Sequence, residues 1–131
     1  MKAGGDSELL FSMLLSIINI AMSITAKTNK SMKDLIKVRN CAYVMMTRDG
    51  KIGRRFLFRN GKYSSDKVLK DYDLAFVFKN ADVGFKTLAL GGATGIPEAI
   101  NNWNLKLVGN IDIATFFQIM IGVSMGIMKR K

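Results

Sequence analysis

Ten acids, one cysteine and no histidine are what this chain of 131 residues offers for side-chain chemistry. The acids are Asp6, Glu8, Asp34, Asp49, Asp66, Asp71, Asp73, Asp82, Glu98 and Asp112. Asp71 and Asp73 stand two apart, a spacing that puts both carboxylates on one face of a strand. A pair of carboxylates is the minimum for glycoside hydrolysis. Here the pair flanks the start of what reads as an edge-like strand, where solvation is the plainer role. Cys41 opens another strand-like run and has no imidazole to activate it, so it reads as a buried structural thiol. The lack of histidine removes Ser–His and Cys–His pairs. With a single cysteine it also removes an ordinary zinc site and an intrachain disulfide framework. Gly91-Gly92-Ala93-Thr94-Gly95 follows no strand and precedes no lysine, so it is neither phosphate-loop pattern and reads as a helix stop and connection. With no acid, base and nucleophile gathered, the expectation is a protein that is not an enzyme and holds no cofactor or metal.

The remaining chemistry is binding. Lysine and arginine number 20 against 10 acids, a net charge of +10, yet 49% of the residues are hydrophobic. Eight basic residues lie between Arg48 and Lys70, with Phe56, Phe58 and Tyr63 among them. Basic strands with interleaved aromatics can bind nucleic acid. However, Phe56 and Phe58 alternate with Arg55, Leu57 and Arg59, which sends rings and two arginines to opposite faces; Arg54 alone shares the aromatic side. Nucleic acid is therefore the weaker reading. Lys27, Lys30, Lys33 and Lys37 recur at helical spacing and suit an anionic membrane surface.

Several elements must position these groups. Leu9 to Ala26 carries no charge and would make a helix about 27 Å long. Ser12, Ser16, Asn19 and Ser23 form a narrow polar stripe on it. The stripe and the acids Asp6 and Glu8 ahead of the run favour a buried or docking helix over a membrane anchor or cleaved signal. Ser7 is expected to cap its start. A basic amphipathic helix follows at about Ser31 to Val38, capped by Asn29 or Ser31. Strands are expected at Cys41–Arg48, Ile52–Arg59, Lys62–Lys67, Tyr72–Lys79 and Trp103–Gly109. Asp49-Gly50 and Asn60-Gly61 between the first three are hairpin signals, both residues tolerating positive φ. Tyr72, Leu74, Phe76 and Phe78 alternate onto one aromatic face. Asn80 or Asp82 caps a short helix ended by a left-handed glycine at Gly91-Gly92. Pro97 suits the first turn of another. Asn110 or Asp112 starts a charge-free last helix, Ile113 to Met128. The fold class is α+β: a mostly antiparallel sheet with helices on one face. Two apolar end helices exceed what one such core absorbs, which points to a cavity, a dimer interface or a membrane surface.

Asn104-Leu105-Lys106-Leu107-Val108-Gly109-Asn110, then Ile113-Ala114 and Phe117-Gln118, resembles the strand-turn-helix pattern of the sterol carrier protein 2 family. Upstream, Tyr72–Leu90 with Asn80-Ala81-Asp82-Val83 is similar to the family's strand and following helix. The resemblance runs from about Ser31 to Met128. It implies a five-stranded sheet covered by helices around an apolar tunnel. Residues 31–131 would form the lipid-binding domain, and residues 1–30 an added helix acting as lid, dimer contact or membrane contact. Members bind sterols, fatty acyl chains or other lipids without transforming them. The ligand-lining residues it implies on the last helix are Phe116, Phe117, Gln118, Met120 and Ile121. Strand alternation adds Phe76, Leu105 and Leu107. The expected function is binding and transfer of a sterol, fatty acyl or isoprenoid ligand, in a cytoplasmic protein peripheral to the membrane. The expected partners are a lipid, an anionic membrane surface and a second copy through the N-terminal helix. The alternative is an accessory interaction or dimerisation module with no ligand.

Overall fold

The computed structural model describes residues 3–37, 40–91, 94–115 and 117–119. Helix α1, Ala3–Thr28, runs without a break because its apolar stretch contains neither Pro nor Gly. It begins before Ser7, so Ser7 is not its cap; the Ser7 hydroxyl instead donates to Asp82 Oδ1 at 3.3 Å. Asn29 separates α1 from α2, Lys30–Lys37, and caps the latter: its Oδ1 accepts from the Met32 N–H at 2.9 Å.

Strands β1 (Cys41–Thr47), β2 (Gly53–Arg59) and β3 (Lys62–Asp66) form an antiparallel meander. Asn60 and Gly61, at φ 54° and 76°, make the tight β2–β3 turn that the sequence signals. The β1–β2 connection is longer than its Asp49-Gly50 signal suggests, and only Gly50 takes positive φ. Asp49 explains the difference. Its Oδ1 accepts from Thr47 Oγ1 at 2.7 Å and from the Lys51 N–H at 3.0 Å, which holds a wider loop.

From β3 the chain crosses the sheet to β4 (Leu74–Phe78), which pairs in parallel with β1; β5 (Leu105–Gly109) closes the order β3-β2-β1-β4-β5. The sheet is mixed, with three antiparallel pairings and one parallel, and it is open. β4 is therefore central, not an edge, and all five of its residues are buried. Neither Asp71 nor Asp73 lies within it, so the two carboxylates do not share a strand face. A left-handed turn at Asp71, φ 55°, also breaks the alternation before Tyr72. Tyr72 packs with Val44, Ala75 and Val77 on the far face, not beside Leu74 and Phe76 as the spacing suggests.

The two faces differ in side-chain size because different things cover them. Leu69 and Tyr72 of the crossover cover the far face, and the buried cluster residues there are small: Val44, Ala75 and Val77. Helices cover the near face, which carries Tyr43, Phe56, Phe58, Phe76 and Phe78, all fully buried, with Phe11, Leu15, Ile18 and Met22 of α1 above them. Burying each such side chain contributes about 1.5–3 kcal/mol. By length and composition Ser7–Thr28 could cross a membrane; in this structure its inner side is part of the core.

Asn80 caps α3 (Ala81–Phe85), its Oδ1 accepting from the Val83 N–H at 2.9 Å. The helix continues as a π-helical turn, Lys86–Leu90. Of the two glycines expected to end the helix, Gly91 is not left-handed, its φ being −76°, and Gly92 lies outside the described residues. Close approach is what demands a glycine at Gly91, since a Cβ would stand 2.5 Å from the Thr87 carbonyl oxygen and 2.7 Å from Gly95 Cα. Pro97 lies in the first turn of α4, Gly95–Asn101. Trp103 lies before β5 rather than in it, in a turn at φ 62° with 86% of its surface exposed. Asn110 starts the last helix: its Oδ1 accepts from the Asp112 N–H at 3.1 Å ahead of a 3₁₀ turn, Ile111–Ile113.

Candidate functional site

The near face of the sheet and the start of the last helix meet in an aromatic cluster. Phe117 is fully buried there. Its ring stacks on Tyr43 at 4.1 Å between centroids and 9° between planes. Phe56 and Phe76 stand 5.5 Å and 5.4 Å away, tilted by 49° and 45°. The Tyr43 hydroxyl donates to the Ile113 carbonyl at 3.1 Å, which ties β1 to the turn that launches the last helix. A buried phenol needs such a partner, and this one fixes where Phe117 enters.

Strand register brings the other expected lining residues alongside. Phe76 faces Leu107 and Phe78 faces Leu105 across the β4–β5 pair. Leu105 is buried, while Leu107 is half-buried against the same cluster. Phe76, Leu105, Leu107 and Phe117 thus belong to one apolar body. Gln118 is half-buried next to Phe117. Phe116, Met120 and Ile121 lie outside the described residues, as does most of the expected last helix. Tyr43 is the central residue that pattern reading passed over. Alternation puts Cys41, Tyr43 and Met45 on one face of β1, but that Phe76 shares this face follows only from the pairing of β1 with β4.

The polar stripe of α1 joins the edge of the sheet beside this cluster. The stripe is half-buried, and Asn19 Oδ1 accepts from the Tyr63 hydroxyl at 2.7 Å. Burial pushes the Tyr63 phenol above its ordinary value, so it stays a neutral donor. Phe56 and Phe58 lie beneath this assembly, where no base could stack on them. Arg54 donates to Ser65 Oγ at 3.0 Å. Lys27, Lys30, Lys33 and Lys37 are all exposed; on α2 the three lysines share one side, opposite buried Met32 and Ile36.

Elsewhere, a polar cleft of about 420 Å³ opens where Ser7 and Glu8 of α1 meet Thr47, Asp49, Asn80 and Asp82. Its acids are engaged. Asp82 pairs with Lys86 at 3.1 Å, and Glu8 with Lys51 at 3.7 Å. The Thr47 hydroxyl, then the Lys51 amide, hold the Asp49 carboxyl below its usual range. Among the described residues no group of three or more metal-ligating side chains gathers. Asp73, the other acid of the sequence pair, works in the backbone: its Oδ2 accepts from the Ala42 N–H at 2.8 Å.

An open five-stranded mixed sheet with helices packed on one face, in this strand order, is a sterol carrier protein 2-like fold. The solved structure described as "UbiJ-SCP2 Ubiquinone synthesis protein" is similar to this chain over 88% of its length and 96% of that chain, with TM-score 0.61 and 13% identity. A stereoselective inverting sec-alkylsulfatase, Pisa1 from Pseudomonas sp., aligns with 69% of this chain and 14% of its own at TM-score 0.49 and 17% identity. At that score the likeness says nothing of a shared fold. No family model and no curated protein matches the chain.

Proposed function

We propose that this protein binds a hydrophobic ligand of sterol, fatty acyl or isoprenoid type between the near face of the sheet and the last helix, and carries it without transforming it. One observation supports this most directly: a helix at the end of the chain inserts a ring, Phe117, into an aromatic cluster built by three strands. In the proposed mechanism the ligand enters by displacing that ring, with Phe76, Leu105 and Leu107 as one wall of a tunnel and Phe116, Phe117, Gln118, Met120 and Ile121 as the other. The energies allow the exchange. About ten methylenes leaving water contribute about 8 kcal/mol, whereas removing a Phe ring from a core costs about 3–5 kcal/mol. The neighbour's description as a ubiquinone synthesis protein favours the isoprenoid class. The α2 lysines and Lys27 hold the carrier at anionic membranes, where such ligands reside.

Native mass spectrometry of the purified protein, followed by organic extraction, tests the proposal. A bound lipid, or saturable uptake of a fluorescent fatty acid by the stripped protein, is the expected result. Leu107→Lys puts a charge across from Phe76 at a half-buried position; it should cut uptake tenfold or more while the protein still melts cooperatively. An empty protein that takes up no probe overturns the reading.

A further inference from the structure

Among the described residues, Arg54 is the one charged side chain that a strand puts on the near face of the sheet. It stands two residues along β2 from Phe56, about 7 Å at the rise of a strand, and Phe56 is one of the rings that meet Phe117. Arg54 is half-buried, whereas Phe56 is fully buried, so the guanidinium stands at the border between the aromatic cluster and solvent. A cation in partly apolar surroundings is normally matched by a carboxylate. The ion pairs among the described residues are Glu8–Lys51, Arg55–Asp66 and Asp82–Lys86, and none of them includes Arg54.

The neighbours of Arg54 are committed elsewhere. Its Nη1 donates to Ser65 Oγ, a neutral acceptor. Ser65 gives its own proton to the Arg55 carbonyl at 2.7 Å, and Tyr63 gives its proton to Asn19. Asp66 feels the Arg54 charge, but it lies on the far face and Arg55 occupies both its oxygens. A guanidinium carries several N–H donors in a planar fork, and among the described residues only the one on Nη1 has a side-chain acceptor. This rim of the cluster therefore offers an entering molecule a positive charge and free donors, and the hydroxyls beside it have none to give. Arginine meets a carboxylate through paired N–H···O bonds, and its single charge balances a single negative one. We propose that Arg54 binds the head group of the ligand and that this head group is a carboxylate, so the protein selects long-chain acids over sterols, alcohols and esters of similar apolar size. This rests on the ligand reading above and narrows its class to chains that end in an acid.

Titration of the full chain, stripped of lipid, with a fluorescent fatty acid and with the methyl ester of the same acid tests this. Wild type should bind the acid about tenfold or more tighter than the ester, the usual worth of a hydrogen bond to a charged group. Arg54→Gln should lower the affinity for the acid to that for the ester and leave the ester where it was. Arg54→Lys should keep part of the preference, because it keeps the charge without the planar fork. Lys106→Gln removes an exposed charge from the far face and should leave the preference unchanged, which separates Arg54 from the general attraction of a basic protein for anions. Equal affinity of wild type for acid and ester overturns the proposal and leaves the ligand reading standing. An Arg54→Gln protein that loses acid and ester alike also overturns it, as does a preference that Lys106→Gln removes. Uptake of neither probe by wild type overturns both this proposal and the reading on which it rests.

Discussion

On the far face of the sheet, Arg55 lies across from Asp66 in the β2–β3 register and holds it at both oxygens, Nε to Oδ1 at 3.0 Å and the second guanidinium nitrogen to Oδ2 at 2.7 Å. The same arginine donates to the Lys70 carbonyl at 3.0 Å, so it fastens the crossover that leads to β4. Its hydrogen bonds are the main reason the Asp66 carboxyl is held below its ordinary value. A depressed carboxylate stabilises the fold above the unfolded-state value, and that contribution is lost as pH falls through the folded one. Asp66→Asn should therefore lower the urea midpoint at neutral pH, and the gap from wild type should close as pH drops below about 3.9. A gap that stays constant into acid would show that the ion pair contributes nothing. Such pairs are usually weak at the surface, but the bidentate geometry and the crossover it anchors favour a measurable effect here.

Between elements, the α1–α3 contact turns on Gly84. A Cβ at that position would stand 2.7 Å and 2.8 Å from atoms of the Phe11 ring, which is fully buried and edge-on to Phe78 at 5.6 Å. Overpacking of this kind costs about 1–3 kcal/mol, and alanine returns at most about 1 kcal/mol of helix propensity. Gly84→Ala should thus destabilise the protein in urea melts, and Phe11→Leu in that background should cost less than it does alone. A neutral or stabilising Gly84→Ala would show that the helices do not approach this closely. Sequence could not reveal this constraint, because Gly84 sits at no turn and its partner lies far away in the chain. Much else was legible for the opposite reason. Strand alternation, Asn caps and the Asn60-Gly61 turn are local, and each appears where its local chemistry puts it. The parallel β1–β4 pairing, the wide Asp49 loop and the burial of Tyr72 on the far face depend on long-range packing or side-chain bonds, which spacing does not encode. At the candidate site, Phe76 and Leu107 could be read from alternation, while the central role of Tyr43 needed the pairing of β1 with β4.

Across the whole molecule the two halves of the composition occupy different places. Apolar surplus fills the near face of the sheet and continues onto the outside of α1, whereas positive charge gathers on α2, on the β2–β3 strands and in the sequence at Lys129–Lys131. This separation makes the part played by the lysines testable apart from the apolar site. Each lysine near an anionic bilayer contributes about 1 kcal/mol, and the attraction decays over a Debye length. The protein should co-sediment with vesicles containing phosphatidylserine and not with neutral ones, and added salt should release it. Lys30→Gln, Lys33→Gln or Lys37→Gln should each weaken binding about fivefold, the equivalent of about 1 kcal/mol, because the three share the exposed side of α2. Equal binding to neutral and anionic vesicles would refute the electrostatic part, and it would do so without touching the case for an apolar ligand behind Phe117.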